Sequence, residues 1–277
     1  MNSALLDPSV HSAPADTRSV NDRPEPRHGS AQLPSEPPIY PGHRVLAMFP
    51  FWNEGSKLVS MAHRLRRGLV DRFVGVNNAS TDDGPATLAG HRIPVLNQPA
   101  GGVGSCIRSA IDYGRREGFD ILVVMAGNDK DDPEQIPRLL LPILEGRADY
   151  VQGSRFLAGG ASVRLPMFRH ISIKLLSLCY RLYSGQSCTD LTNGFRAYRL
   201  SLFDDPRIDI HQEWLDTYEL EYYVHWKAHQ CGYRVVEVPV TKTYPSAKNV
   251  PYTKIRALSG WWHMLRPFLF LSLRIKQ

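Results

Sequence analysis

The sequence predicts an α/β fold in which a mostly parallel β-sheet carries helices on both faces. Short apolar runs alternate with amphipathic stretches from residue 44 onwards, which is the pattern of strands joined by helical crossovers. Polar and glycine-rich segments fall where the predicted strands end, and ligands bind at that edge of such sheets. A chain of 277 residues with 43% hydrophobic and 22% charged residues has an ordinary globular composition and enough length for this core. These observations favour a doubly wound, Rossmann-like domain.

Five strands and three helices are predicted in the first half of the domain. The strands are residues 45–49, 73–76 and 93–96, a run that begins at Ile121, and residues 150–156. One helix, with apolar residues at three-to-four spacing, follows the first strand. A second helix follows the glycines at 101–104, and a third spans roughly residues 133–145.

The pattern changes after residue 160. Residues 166–183 predict an amphipathic helix with Ile171, Leu175, Leu178 and Leu182 on one face. A short strand at 197–198, a helix near 215–230 and a strand over 233–240 follow. An apolar stripe at helical spacing then runs through residues 255–269.

Prolines and charges divide the chain into three parts. Residues 1–42 contain eight of the 21 prolines, which predicts a disordered leader. Residues 43–256 form the predicted globular domain, and residues 257–277 form a basic amphipathic tail. Residues 241–277 hold seven Lys or Arg and no acid, whereas the rest is balanced at 26 basic to 27 acidic residues. The net charge of +6 thus indicates a local anion site or a membrane-facing edge, and no nucleic-acid partner is expected.

Cysteine spacing and hydropathy bear on location. The four cysteines lack C-x-x-C spacing, which favours a reduced, cytoplasmic setting. No apolar run resembles a signal peptide or reaches the length of a membrane span. An interfacial helix around Trp261, Trp262 and Leu265 would bring the protein to the inner face of the membrane as a peripheral protein. Packing of this stripe on the domain is the alternative.

Residues 121–135 are the most informative stretch. They begin as an apolar, β-prone run and change within a few residues to a charge cluster, after which Pro133 suits the first turn of a helix. A buried strand that delivers carboxylates to its carboxyl end is an active-site geometry of open α/β sheets. A solvated loop after a core strand is the alternative. The polar segments at the other strand ends favour the active site.

Seven short motifs occur in a fixed order over about residues 44–256. They are Pro50-Phe51-Trp52-Asn53-Glu54, Asn78-Ala79-Ser80-Thr81-Asp82, residues 104–114, Asp132-Pro133-Glu134-Gln135, Gly153-Ser154-Arg155-Phe156, residues 190–196, and Glu237-Val238-Pro239. Together they resemble the family 2 glycosyltransferases of the nucleotide-sugar-binding A type. Within that family they are most similar to the dolichyl- or polyprenyl-phosphate mannosyl- and glucosyltransferases. The resemblance implies a single transferase domain that moves a sugar, with inversion, from a nucleoside diphosphate sugar to a lipid phosphate or a hydroxyl acceptor.

The resemblance also implies candidate site residues. The residues expected to bind the donor are Pro50, Phe51, Asn53, Glu54, Asn78, Asp82, Gly104, Asn128, Lys130, Arg155 and Arg196. Arg169 and Lys248 are candidates for contacts with the diphosphate or the acceptor. Arginine suits phosphate because its planar guanidinium presents a fork of donors. Asn78 stands where the family carries an acid, and because an amide both donates and accepts, the base preference stays open.

The stretch 121–135 departs from the family at the metal-binding positions. The family carries Asp-x-Asp after the fourth strand and binds Mg²⁺ or Mn²⁺ there, whereas this sequence places Ala126 and Asn128 at those positions. One hypothesis is that Lys130 supplies directly the positive charge that a metal lends to the leaving diphosphate. The other is that Asp129 or Asp131 is displaced into the ligand position, with Asp129 as the candidate metal ligand. No other cofactor is expected.

Asp190 is the predicted catalytic carboxylate. Transfer to a hydroxyl needs a base that removes the acceptor's proton as it attacks the anomeric carbon. A lipid phosphate is already ionised, and Asp190 would then position other groups; a turn or helix cap is the remaining interpretation. A non-catalytic nucleotide-sugar-binding homologue and a nucleotidyltransferase are the alternative functions. The glycine-rich phosphate loop typical of the latter is missing after the first strand.

Overall fold

The computed structural model describes residues 37–244 together with Arg266, Pro267 and Phe270. Most of the predicted leader, most of the predicted tail and Lys248 lie outside the described residues. Ordered contacts begin before residue 43, because Ile39 N–H donates to Asp71 Oδ1 at 2.9 Å and Tyr40 forms a β-bridge with His43.

Seven of the described strands form one sheet. Numbered along the chain, the strands are β1 (Val45–Phe51), β2 (Arg72–Asn78), β3 (Val95–Gln98), β4 (Ile121–Val124), β5 (Tyr150–Ser154), β6 (Ala161–Val163), β7 (Arg196–Arg199), β8 (Val235–Pro239) and β9 (Thr241–Thr243). The order in the large sheet is β3-β2-β1-β4-β7-β5-β8, and all neighbours are parallel except those of β7. β6 and β9 pair separately, also in parallel. The predicted fold class is therefore confirmed.

Helices cover both faces of the sheet. Those in the described part are α1 (Ser56–Arg64), α2 (Gly84–Gly90), α3 (Val103–Arg116), α4 (Ile136–Leu144), α5 (Met167–Ser184) and α6 (Glu219–Gln230). Successive side chains of β1 point to opposite faces. Leu46 and Met48 join the core under α3 and α6, whereas Val45, Ala47 and Phe49 join the core under α1 and α4.

Among the described strands and α-helices, three short elements and one strand direction were not predicted. The missed elements are α2, β6 and β9; α2 contains two glycines and a proline, and β6 and β9 have three residues each. They are too short for a hydrophobic period to emerge. Strand β7 runs antiparallel between β4 and β5, a direction that a four-residue run does not encode.

Candidate active site

A cavity of about 630 Å³ opens at the carboxyl ends of β1, β2 and β4. Its walls are the loops after these strands, the start of α3, the first half of α5 and the segment that enters α6. This is the edge at which ligands bind in open α/β sheets. The predicted site residues that line it are Pro50, Phe51, Glu54, Asn78, Asn128, Lys130, Arg155 and Arg169.

Asn78 shapes the end of the cavity next to the glycine loop. Its Oδ1 accepts hydrogen bonds from the backbone N–H groups of Gly101 at 3.0 Å and Gly102 at 3.2 Å. Gln98 Nε2 donates to the same oxygen at 3.3 Å. The amide NH₂ of Asn78 is thus the group that can donate to a ligand. This end of the cavity therefore presents an amide donor to a ligand that carries a hydrogen-bond acceptor.

Asn53 and Asp82 join the loops after β1 and β2. Asn53 Oδ1 accepts from the Thr81 N–H at 2.8 Å, and Asp82 Oδ2 accepts from the Gly55 N–H at 2.9 Å. Neither is among the cavity-lining residues that the structure describes. Both were predicted to contact the sugar donor; in the structure their side chains connect the two loops that border the cavity.

Gly104, also predicted as a donor contact, allows close packing. A Cβ at this position would lie 2.0 Å from the carbonyl oxygen of Leu215 and 2.5 Å from that of Thr217. Only glycine permits this approach of two backbones. The approach brings Thr217 and Tyr218 to the cavity wall, while Gly104 itself stays buried behind it.

Asp129, the predicted metal ligand, is turned towards α1. Its carboxylate accepts hydrogen bonds from Ser60 Oγ at 2.6 Å and Arg64 Nη1 at 2.8 Å. It is not among the described residues that line the cavity. No three His, Cys, Asp or Glu side chains in the described part of the chain come together as a metal site. This geometry does not favour Asp129 as a metal ligand.

Strand β9 lies against the segment after β4 and fixes two lysines at the cavity. The Thr243 N–H donates to the Lys130 carbonyl at 2.9 Å, and Asp131 forms an antiparallel β-bridge with Lys242. Buried Asp131 accepts from the Ala126 N–H at 2.8 Å and forms a 2.7 Å ion pair with Lys242 Nζ. Lys130 and Lys242 both line the cavity.

The environment of Lys130 weakens its affinity for a proton. Burial, and then the positive charges of Lys242, Arg169 and Lys57, lower the pKa of Lys130 to about 8, while Glu54 opposes the shift. The ammonium form therefore still predominates at neutral pH. A bound anion would favour that form further.

Asp190, the predicted catalytic carboxylate, is fully buried against Arg155. Arg155 donates from Nε to Oδ2 and from Nη2 to Oδ1, both at 2.6 Å, and its backbone N–H donates to Oδ2 at 3.0 Å. The guanidinium also donates to the hydroxyls of Tyr244 at 2.5 Å and Thr192 at 2.8 Å. Burial opposes the charge on Arg155, but Asp190 raises its pKa. Arg155 reaches the cavity, and Asp190 is placed to orient it.

Glu237 of β8 holds the turn that carries Asp190. It accepts hydrogen bonds from the backbone N–H groups of Thr189 at 2.8 Å and Asp190 at 3.0 Å. Burial raises the pKa of Glu237, and the hydrogen bonds from the turn oppose that shift. The Glu-Val-Pro motif thus acts on the cavity indirectly: Glu237 holds the turn of Asp190, and Asp190 holds Arg155.

Arg196, predicted to bind the donor, is a buried structural residue. Its guanidinium donates to the carbonyl oxygens of Asn193 at 2.8 Å, Leu191 at 3.1 Å and Glu221 at 2.7 Å. The residue is 1% exposed and is not among the described cavity residues. Glu221 does line the cavity, with Oε1 3.4 Å from Arg196 Nε. This placement does not support contact between Arg196 and a phosphate.

Helix α5 forms part of the cavity wall and presents a second apolar face outwards. The residues that point into the core are Ile173, Leu176 and Tyr180. The predicted stripe faces away from the core: Ile171 is 58% exposed, Leu175 58%, Leu178 44% and Leu182 79%. Phe168, at 76% exposure, belongs to this outer face and also lines the cavity. The stripe therefore leads directly to the cavity mouth.

The charges on α5 are all of one sign. The helix contains Arg169, Lys174 and Arg181 and no acidic residue. Where the structure describes the chain, it contains no helix long and apolar enough to cross a membrane.

Several cavity residues were missed by the sequence prediction. The main ones are Lys242, Tyr244, Phe168, Tyr218 and Tyr222. A lysine between two threonines, three residues after Pro239, is the only sequence signal for Lys242. The aromatic residues carry no signal of their own, because an aromatic side chain is more often a core residue.

Comparisons with known proteins agree with this architecture. The model of glycosyl transferase family 2 matches residues 47–205. The chain is 32% identical over 205 residues to an undecaprenyl-phosphate mannosyltransferase of Micrococcus luteus, covering 72% of this chain and 83% of that protein. It is 29% identical over 227 residues to a polyprenol monophosphomannose synthase of Mycolicibacterium smegmatis, covering 79% of this chain and 84% of that protein.

Solved structures share the fold at lower identity. A glucosyl-3-phosphoglycerate synthase from Mycobacterium tuberculosis, in complex with Mn²⁺, UDP and glucosyl-3-phosphoglycerate, superposes with a TM-score of 0.58. The identity is 18%, and the match covers 82% of this chain and 80% of that one. A mycobacterial protein at 18% identity gives a TM-score of 0.61, with 82% and 75% coverage.

Proposed function

The chain belongs to glycosyl transferase family 2 and is an enzyme of the polyprenyl-phosphate mannosyltransferase branch. We propose that it transfers a hexose from a nucleoside diphosphate sugar to a polyprenyl phosphate, and mannose is the first candidate for the hexose. The donor would occupy the cavity at the ends of β1, β2 and β4. The transferase domain in this proposal spans residues 43–256.

One observation carries the choice of a lipid acceptor. The exposed apolar face of α5 runs from Leu182 to Phe168, and Phe168 lies at the cavity mouth. A water-soluble acceptor would not need to contact an apolar surface. A lipid chain, in contrast, must stay in an apolar medium while its phosphate reaches a polar site. Arg169, next to Phe168 in the sequence, also lines the cavity.

The chemistry of a phosphate acceptor agrees with the position of Asp190. An ionised phosphate needs no base, and both oxygens of Asp190 already accept hydrogen bonds from Arg155. In this proposal Asp190 is a positioning residue and Arg155 faces the phosphates. A single displacement by the acceptor oxygen at the anomeric carbon would invert the configuration.

The same face of α5 is the proposed contact with the membrane surface. Its outward apolar residues would enter the boundary between headgroups and acyl chains, and the basic residues of the helix would attract anionic lipid. The protein would then act as a peripheral enzyme on the leaflet that contains the acceptor.

Transfer of label into lipid tests the proposal. Full-length protein is incubated with polyprenyl phosphate in vesicles and with labelled GDP-mannose, UDP-glucose or other nucleoside diphosphate hexoses. Label that moves into an organic-extractable, acid-labile product is the expected result. Transfer only to water-soluble acceptors would overturn the lipid acceptor and would direct attention to Glu221 as a base, because that carboxylate lines the cavity. Donor binding without any transfer would indicate a non-catalytic homologue.

A further inference from the structure

The loop after β4 offers a poor set of ligands for a divalent cation. Mg²⁺ and Mn²⁺ prefer several oxygen ligands, usually including carboxylates. The residues of this loop that line the cavity are Met125, Ala126, Gly127, Asn128 and Lys130. Among their side chains only Asn128 has an oxygen, and its buried Oδ1 has no hydrogen-bond partner in the described structure. One neutral oxygen beside an ammonium group suits a sugar hydroxyl better than a metal ion.

Besides Asp190, three carboxylates among the described residues lie at or next to the cavity outside the positions 126 and 128, and each is paired with a basic side chain. Glu54 Oε2 lies 2.8 Å from Lys57 Nζ, and Glu221 lies 3.4 Å from Arg196. Asp131 forms its ion pair with Lys242. With the buried partners included, six basic side chains of the described residues surround four carboxylates at the cavity: Lys57, Lys130, Arg155, Arg169, Arg196 and Lys242 against Glu54, Asp131, Asp190 and Glu221. Such a cavity favours a polyanion and repels a free divalent cation.

We propose that Lys130, with the Lys242–Asp131 pair beside it, stabilises the negative charge of the donor's diphosphate, in the role that a carboxylate-bound metal ion fulfils where acidic ligands are present. The inference rests on the proposed function, since it takes a nucleoside diphosphate as the ligand of the cavity. Lysine is a compact point charge with three donors and is an established type of phosphate ligand. Asp131 and the pairing of β9 with residues 130–131 hold both lysines at one wall.

The transfer step is balanced without a metal ion. An oxygen of the acceptor phosphate forms a bond to the anomeric carbon, and the bond from that carbon to the diphosphate oxygen breaks. The electron pair of the broken bond stays on the diphosphate, which gains one negative charge while the acceptor phosphate loses one. No proton has to move. Lys130, with the Lys242–Asp131 pair beside it, stabilises the diphosphate most as this charge develops, which is the condition for catalysis.

Calorimetric titration of the full-length protein with UDP, GDP, ADP, CDP and dTDP tests the inference without relying on turnover. In excess EDTA the wild-type protein is expected to bind its preferred diphosphate as tightly as in Mg²⁺ or Mn²⁺. Lys130→Met is expected to weaken binding about 10- to 100-fold, as for the loss of one hydrogen bond to a charged group. Lys227→Met removes an amine on α6, outside the described cavity wall, and should leave the affinity unchanged.

A second variant leaves Lys130 unchanged and tests whether added carboxylates create a metal-dependent site. Ala126→Asp combined with Asn128→Asp adds two carboxylates, and its binding of the diphosphate should become sensitive to EDTA and recover with Mn²⁺. Wild-type binding that is abolished by EDTA, or an unaffected Lys130→Met, would overturn the inference. Chelator-insensitive binding without sugar transfer would refute the proposed function alone. A protein that binds none of UDP, GDP, ADP, CDP and dTDP under any condition would refute both.

Discussion

Asp190 and Arg155 form a two-point ion pair inside the protein, with both hydrogen bonds at 2.6 Å and a third from the Arg155 backbone N–H at 3.0 Å. The same three-bond pattern joins Asp149 to Arg234, at 3.0, 2.8 and 3.0 Å. The first pair is buried, with side-chain exposures of 3% and 0%, whereas Arg234 is 55% exposed. The two pairs therefore separate the effect of geometry from that of burial.

Asp190→Asn is expected to lower the free energy of unfolding by about 3–5 kcal/mol, because it leaves a buried guanidinium without its counter-charge. Asp149→Asn should change stability several-fold less, since water already solvates Arg234. Urea unfolding of both variants gives the comparison. Equal, small effects would contradict the assignment of Asp190 as the electrostatic partner of Arg155.

The same variant distinguishes a positioning residue from a base. If Asp190 orients Arg155, Asp190→Asn weakens binding of the nucleoside diphosphate as well as transfer, and Glu237→Gln, which loosens the same turn, has a milder effect of the same kind. A base would leave the affinity for the donor intact and reduce only the rate of transfer. Titration calorimetry and initial rates separate the two outcomes.

The sequence predicts the sheet well because burial on both faces leaves a direct pattern in it. Strands β1 and β4 are nearly continuous apolar runs, as expected for parallel strands covered by helices. It predicts less of the site, because a motif residue can act on the backbone or on the ligand. Asn78 and Arg196 both match family motifs, yet one lines the cavity and the other is enclosed by carbonyl oxygens.

Helix α5 shows a different limit. Amphipathic spacing reveals an apolar face but does not say what covers it. Here the stripe through Ile171 and Leu175 points outwards, and the core contacts come from Ile173 and Leu176. When a helix has two apolar faces, its sequence does not determine which of them packs on the core and which faces outwards.

Gly104→Ala is expected to destabilise the fold and to weaken nucleotide binding. The new Cβ would overlap the carbonyl oxygens of Leu215 and Thr217, which are backbone atoms and cannot rotate away. Overpacking of this kind costs about 1–3 kcal/mol, and the displaced segment carries Thr217 of the cavity wall. Thermal unfolding and diphosphate titration measure the two effects.

Gly90→Ala is the matched control for this prediction. Gly90 ends α2, and a Cβ there meets no atom within 4 Å. Alanine is favoured over glycine in helices by up to about 1 kcal/mol, so the control should be neutral or slightly more stable. A Gly104→Ala protein that behaves like the control would show that α3 can move without consequence.

Ile171→Gln combined with Leu175→Gln is expected to abolish binding to vesicles while leaving the fold and nucleotide affinity unchanged. Both side chains are 58% exposed, so their loss removes little buried surface. Cosedimentation with vesicles that contain anionic lipid measures the effect, and neutral vesicles should bind the wild-type protein more weakly. Val59→Gln combined with Leu141→Gln removes exposed apolar residues of α1 and α4 and serves as the control.

An alternative occupant of this face is a second copy of the chain. In that case the α5 variant would convert a dimer to a monomer in analytical ultracentrifugation and leave vesicle binding unchanged. That pair of results would contradict the proposed membrane contact. Sugar transfer to a lipid acceptor would then need another route to the cavity.

Binding of the nucleoside diphosphate should weaken as the pH rises through about 8, where Lys130 loses its proton. The groups that face Lys130 are Lys242 from β9, Arg169 from α5, Lys57 from α1 and Glu54 after β1. Because the protonated lysine is the form that binds, affinity is greatest below this pKa and falls by up to about tenfold per pH unit above it. Lys130→Arg keeps its charge and should bind with a flat profile from about pH 7 to about pH 9. Calorimetric titrations of both proteins across this pH range test the prediction. If Lys130→Arg shows the same pH dependence of affinity as the wild type, the titrating group is not Lys130.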